Sequence, residues 1–539
     1  MTNETPPNVA SRTRLDWIFI LLAIALFLAL GLRAAVSIDP SLEAWWQHLP
    51  WAARLGGLMP ADGYTWNAFL EQRFAGFPLM IEWLQGQLWR LTGRAETTNL
   101  VALGSLALFV LLLRVRFKVP MQLALLGLVA IPLVQVSATG TSADLPANLA
   151  LAGAFLMLMP LYSGRTLPRL HDAALFFLLC ALAAHARLEL LPVVAAVFAL
   201  GFLGLTWTRL RRGKEGSRRI VRVLGIWIFS ALAAAVIFFI PAKNLSLLGD
   251  PLYPFGLKAG EIAYSGPQDA YELRADGLAR VPAGSESAPV QTPPIDPAAP
   301  PATRLAALAE PFRARAEVWA NQVLDVGAAP LFGDASWARF GAQQFPLAVS
   351  AKGFLGWYAL FNLGLFALLI LTGLLRRLGI LVLFALATAL AIAVPDYTAL
   401  NQYMFWMLLL VSLNLVMLRP GGERKPASAS TGLQRLFALA ALAALAIGIY
   451  ATRADLIRPT FQTAADLAAA KRNPALLAQV QANPTSCLVG VKPDEVFVYA
   501  PLFNAEKTYR LKMGPLAGEP QDQTATLCGP DWTPVVATP

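Results

Sequence analysis

The sequence predicts an all-α polytopic membrane protein: a bundle of about eleven transmembrane helices with polar outer loops and a small α/β domain at its C-terminus. Three observations carry this reading. Hydrophobic residues fill 57% of the 539 positions and charged residues only 14%, where a soluble chain carries about a quarter charged. The apolar residues fall in runs of roughly 18 or more, enough to cross a bilayer as helix. The segments between alternate runs are short and basic, while every long segment lies on the opposite side, the pattern that separates cytoplasmic from outer loops. The net charge of +10 therefore marks topology and not a nucleic-acid surface.

Residues 1–14 form a polar N-terminus whose Arg12 and Arg14 place it in the cytoplasm. The first span covers 15–36, too long for a cleaved signal peptide and followed by no small-residue cleavage site, so it is read as a retained helix. Arg33 near its far end is a lone charge placed to snorkel outward. The outer segment 38–98 follows. It opens with Asp39 and Glu43, then Trp45, Trp46, His48, Pro50 and Trp51, which places polar chemistry at a bilayer face anchored by indole rings. Residues 77–89 read as a helix lying in the interface.

The further spans are expected at 98–113, 119–137, 146–163, 172–185, 190–207, 220–241, 352–374, 378–394, 399–417 and 433–450. Arg114, Arg116 and Lys118, then Arg165 and Arg169, then the cluster from Arg209 to Arg219, mark successive cytoplasmic turns. Arg376 with Arg377, and Arg419 with Arg424 and Lys425, mark the later ones. The transmembrane domain thus runs over 15–451, with outer loops 38–98, 138–146 and 242–350, and the C-terminus lies outside. Within the last loop, 282–302 reads as a flexible linker and 303–324 as helix.

Residues 452–539 form the tail domain. Thr460 to Ala482 reads as helix with a break near Pro474, and Cys487–Val491 and Val496–Tyr499 read as strands. Cys487 and Cys528 flank its polar part. In an oxidising compartment they can pair, closing a loop worth roughly 3–4 kcal/mol. Cys180, inside an apolar run, reads as a packing residue.

Carboxylates are the informative residues. Asp39, Asp144 and Asp396 each stand at the outer end of a span, at the depth of a lipid phosphate. There a carboxylate can act as general base on an acceptor, hold a divalent cation against phosphate, or simply mark a solvated helix end. His48, one of three histidines, can orient an acceptor or a phosphate, or serve as a hydrogen-bonded structural residue. Arg187 can grip a phosphate bidentately, pair with Glu189, or anchor at the interface. Lys243 and Lys258 flank the Tyr253-Pro254-Phe255 turn and can meet phosphate or stand exposed. There is no His/Cys group with zinc spacing, no Walker sequence and no credible dinucleotide-binding glycine motif. Energy for a transfer outside the cell must then come with the substrate, as it does in a polyprenyl-phosphate sugar.

Four stretches carry a family likeness. They are Asp39 with Trp46-Gln47-His48-Leu49-Pro50; Gly76-Phe77-Pro78-Leu79 with Glu82-Trp83-Leu84; Ser142 with Asp144; and Gly249-Asp250-Pro251-Leu252-Tyr253-Pro254-Phe255. In their order and sidedness the chain resembles the integral-membrane GT-C glycosyltransferases, in particular the bacterial relatives of protein mannosyltransferases and of the lipid A aminoarabinose transferase. The resemblance covers 15–420. It implies a GT-C-like bundle in the bacterial inner membrane and an inverting transfer of sugar from a polyprenyl-phosphate donor to a periplasmic acceptor, a lipid, glycan or protein.

By the same resemblance Asp39 and Asp144 are the catalytic candidates. His48, Glu43, Arg187, Lys243 and Tyr253 are the substrate-binding ones, with Arg187 and Lys243 toward the lipid phosphate. Where many relatives pair an Asp with a neighbouring acid, here Asp39 stands alone with Glu43 four positions on. No cofactor is required by this reading; a divalent cation is left open. The competing classes are a flippase for a lipid-linked glycan, which calls for internal repeats and midplane charges, and a non-catalytic subunit of an envelope-polymer assembly complex.

Overall fold

In the computed structural model, described for residues 14–60, 62–66, 71, 74–162, 170–212, 217–251, 253, 255–258, 261–264, 272–274, 277–279, 312–313, 315–317, 319–321, 323, 356–394, 400–418, 427–451, 455–515 and 524–537, apolar helices form a bundle capped at one end by a mixed unit. Among the described residues, six helices are long and apolar enough to cross a membrane: Arg14–Val36, Ala95–Phe117, Asp144–Tyr162, Leu188–Thr208, Leu400–Met417 and Thr431–Tyr450. Two bent pairs, Met121–Val129 with Pro132–Ala138 and Val223–Ile237 with Phe239–Leu248, bring the number to eight if each is one span. The helices His171–Ala186, Gly356–Leu371 and Arg377–Ile392 are apolar but only 10–17 residues long. Among the described residues, six to eight helices thus qualify as crossings by length and composition, and together with the three shorter ones they stand at the positions of the eleven spans expected from the sequence.

The bends and turns between them have local causes. Before Pro132, which lacks an amide hydrogen, the chain turns by 98°. Gln135 Nε2 donates to Val129 O at 2.8 Å, so a carbonyl freed by the break is still satisfied away from water. Gly356–Leu371 ends in a tight turn in which Gly373 N donates to Ile370 O at 3.0 Å. The turn after Phe117 is closed by Lys118 at φ 59°, with Lys118 N on Arg114 O and Val119 N on Leu113 O, a left-handed helix cap.

Helices Asp144–Tyr162 and Leu400–Met417 are the axis of the bundle: 78% and 83% of their spanning windows are buried, against 22% for Arg14–Val36. Phe155 and Phe405 stack between them at 5.8 Å, and Asn148 Oδ1 accepts from Phe405 N at 2.7 Å. The first helix shows most of its apolar side chains outward, as a lipid-facing helix does.

The cap is built from two distant stretches. Ala44–His48 is a π-helical turn continuing into the helix Leu49–Leu55, which crosses the helix Met80–Thr92. The crossing is close because it is made by glycines: a Cβ on Gly86 would stand 2.2 Å from Ala52 O, and one on Gly56 2.6 Å from Gly86 O. The tail then joins this unit. The strands Tyr64–Thr65, Arg510–Met513, Thr485–Val489 and Thr533–Val536 make one parallel sheet in that order. Phe497 and Phe503 of the tail pack on Trp45 and on Tyr64 or Trp89. Ile38 N donates to Gln462 O and Thr460 N to Ser37 Oγ.

Several expectations change here. Trp45, Trp46 and Trp51 are buried inside the cap and are not membrane anchors: Phe497 and Phe503 of the tail pack on Trp45, and Trp66, Phe74 and Phe77 pack on Trp51. Val496–Tyr499 is helical, not a strand: Pro493 opens a short helix, Pro493–Val496, which runs into a 3-10 turn at Phe497–Tyr499. Arg33 is pinned by Thr139 Oγ1 at 3.3 Å and by Arg458 O. The tail helix does break near Pro474, into Ala464–Lys471 and Pro474–Ala482, with Thr463 and Asn473 as N-caps. The disulfide Cys487–Cys528 is formed, with 5.8 Å between the Cα atoms, and Cys180 is buried in the bundle.

Candidate functional site

The polar side chains singled out by the sequence gather at the junction of cap and bundle. Asp39 follows the first helix and is partly buried. Its Oδ1 accepts from Ser41 N at 2.9 Å; its Oδ2 accepts from Thr141 N at 2.9 Å and Thr141 Oγ1 at 3.2 Å. Trp45 Nε1 donates to the Asp39 carbonyl at 2.9 Å, which fixes the start of the π-turn. A Cβ on Gly140 would come within 2.9 Å of Asp39 Oδ2, so glycine there lets the carboxylate sit close against the turn. Asp39 thereby fastens the first outer segment to the turn before Asp144–Tyr162.

The same turn receives the helix Met80–Thr92, whose Gln85 Nε2 donates to Thr141 O. One turn earlier on the same face, Glu82 Oε1 lies 2.8 Å from His48 Nδ1. Glu43 Oε1 stands 3.5 Å from His48 Nε2. The imidazole thus lies between two carboxylates of unequal exposure: the Glu82 side chain is 3% exposed and that of Glu43 39%. Burial by itself would lower the pKa of His48, but hydrogen bonding and charge from Glu43 and Glu82 prevail and raise it to about 9.

A second cluster adjoins at the N-terminal end of the axial helix Asp144–Tyr162. Arg187 pairs with Asp144 Oδ1 and, at 3.4 Å, with Glu189 Oε2. Asn401 Nδ2 donates to Asp144 Oδ2 at 2.9 Å. All three ionic side chains are largely buried. Of the readings open to Arg187, the ion pair with Glu189 is present, and Asp144 joins it. Guanidinium carries five donors in a planar fork, so such an arginine can be held by carboxylates and still address an anion.

Lys243 and Tyr253 lie beside the segment leading into Met80–Thr92. Lys243 Nζ donates to Ala75 O, while Asn244 Nδ2 bridges Gly76 O at 2.9 Å and Tyr253 O at 3.0 Å. The Tyr253 ring lies against Gly76, where a Cβ would meet it at 2.6 Å. Asp396 and the 282–302 linker fall outside the described residues, as does the side chain of Lys258; of 303–324 only parts within 312–323 are described, and these are helical. Among the described residues no group of three or more His, Cys, Asp or Glu side chains is placed to hold a metal ion.

A solved structure similar to this chain is that of ArnT from Cupriavidus metallidurans bound to undecaprenyl phosphate. The two share 12% identity, with a TM-score of 0.42, over 95% of this chain and 88% of that one. No family model matches the sequence, and no curated protein matches it.

Four residues of the site are not among the catalytic or binding candidates read from the sequence, although Glu82 stands in one of the stretches that carry the family likeness. Glu82 and Gln85 carry a signal: they stand three apart, with Trp89 a turn on, on the buried face of a helix whose other face is exposed at Trp83 and Leu91. A carboxylate on a buried helical face needs a partner. Thr141 and Asn401 carry no such signal, because their importance lies in residues hundreds of positions away or on another element.

Proposed function

We propose that the protein is an inverting membrane glycosyltransferase that moves a sugar from a polyprenyl-phosphate donor to a periplasmic acceptor. In this reading the N-terminus is cytoplasmic, the C-terminus periplasmic, and the chemistry lies at the outer face of a bacterial inner membrane. What supports it is the convergence at one end of the bundle of carboxylates and cations from five separate elements. The observation that carries it is Asp39, a partly exposed carboxylate held in fixed orientation by Ser41 and Thr141.

The acceptor oxygen or nitrogen attacks the anomeric carbon, Asp39 takes its proton, and the carbon–oxygen bond to phosphate breaks with its electron pair leaving on the polyprenyl phosphate. Arg187, oriented by Asp144 and Glu189, and Lys243 stabilise the departing phosphate. Among the described residues, the gathering of the site's carboxylates and cations at one end of the bundle favours this reading over a flippase.

The test is turnover by purified protein with a panel of polyprenyl-phosphate sugars and envelope extract. Wild type should release free polyprenyl phosphate, and Asp39→Asn should be slower by about a hundredfold or more, the usual worth of a general base. Undiminished turnover in Asp39→Asn refutes the mechanism. No release from any donor, by folded protein that binds the lipid, points instead to a flippase or an assembly subunit.

A further inference from the structure

We propose that the His48 imidazole and the Glu43 carboxylate together bind a hydroxyl group of the acceptor, with Glu82 as the positioning residue that fixes the ring. The inference rests on the transfer reading above and assigns one side of that site. His48 is only 5% exposed, and its Nδ1 is committed to Glu82 at 2.8 Å. Its Nε2 is buried and faces Glu43 Oε1 at 3.5 Å, an ion-pair distance longer than a well-formed hydrogen bond. A group that came between them would give the buried nitrogen a closer hydrogen-bond partner than the long ionic contact does.

A hydroxyl answers both groups at once. Its oxygen accepts from the protonated Nε2 while its hydrogen is donated to Glu43. The ring is protonated at neutral pH because the two carboxylates outweigh the effect of burial. The Glu43 side chain is 39% exposed, so a ligand can reach it from outside, whereas Glu82 at 3% cannot be reached and serves only to hold the ring. The local charge argues against phosphate here. Two carboxylates flank a single imidazolium, so an anion would meet net negative charge. The donor's phosphate is thereby directed to Lys243, whose Nζ meets the Ala75 backbone carbonyl and not a carboxylate, and the hydroxyl-bearing acceptor to Glu43 and His48.

The experiment uses full-length protein in detergent, a polyprenyl-phosphate sugar that the wild type turns over, and envelope extract titrated as the acceptor probe. In Glu43→Gln and His48→Gln the half-saturating extract concentration should rise about tenfold, the effect of losing one hydrogen bond to a charged partner. The half-saturating donor concentration should move by less than about twofold, the spread left when no contact to the donor is lost. A shift on the donor side instead, or no shift on either side, overturns the inference. Should His48→Gln fail to fold, Glu43→Gln decides, since its side chain is partly exposed and outside the cap's core. Absence of turnover by the wild type on every donor overturns the transfer reading and this inference with it; a donor-side shift with turnover intact overturns the inference alone.

Discussion

Replacing Gly86 by alanine tests whether the glycine crossing sets the site. The Cβ would stand 2.2 Å from Ala52 O and 2.8 Å from Gly56 N, both backbone atoms that cannot rotate aside. Relief requires the helices Leu49–Leu55 and Met80–Thr92 to part by about 1 Å, enough to break close packing along the contact. Overpacking of a tight core typically costs about 1–3 kcal/mol, and with backbone on both sides the upper end applies. The same parting carries His48 away from Glu82, now 2.8 Å apart, so the buried pair loses its hydrogen bond. The two effects share one displacement and do not add.

The assay is thermal unfolding in detergent, with Gly104→Ala as the control. A Cβ on Gly104 meets nothing within 4 Å, so there the gain in helix propensity stands alone and stability should hold or rise by up to about 1 kcal/mol. Gly86→Ala should lose about 3 kcal/mol and most of its turnover. If Gly86→Ala and Gly104→Ala melt alike, the crossing does not constrain the site and the reasoning fails.

Other perturbations follow from the same contacts. His48 has its folded pKa raised to about 9 from an ordinary 6.5. Its contribution to stability, about 3 kcal/mol, is therefore complete below pH 6.5 and lost as pH rises through 9; the stability gap between wild type and His48→Gln should close over that window in denaturant titrations. Arg187→Met leaves Asp144 and Glu189 buried without their cation and should cost about 3–5 kcal/mol, while Arg187→Lys should recover part of it; equal melting of wild type and Arg187→Met would show the pair to be dispensable. Replacing Cys487 and Cys528 by serine opens a 41-residue separation. In the chain-entropy model this costs about 4 kcal/mol, so limited proteolysis should cut the tail faster than in wild type while fragments of the bundle persist.

The sequence by itself determined the bundle, because membrane-spanning character is a property of composition over about 20 consecutive residues and needs no partner. It determined the tail's helices and their break, because caps such as Thr463 with Asp466 and Asn473 before Pro474 are local. It also identified Asp39, His48, Glu43, Asp144 and Arg187 as side chains too polar for their place. Only the tertiary structure decided who meets whom. Thr141 reaches Asp39 across 102 positions, Asn401 reaches Asp144 across 257, and Arg510–Met513 pairs with Tyr64–Thr65.

The tryptophans show the reason most directly. An indole after a spanning helix has the same local signature whether it faces lipid or another aromatic ring. Phe497 and Phe503, more than four hundred positions away, turn Trp45 from a membrane anchor into the centre of the cap. Local pattern fixes which side chains must be buried or satisfied; long-range packing alone supplies the surface that does it.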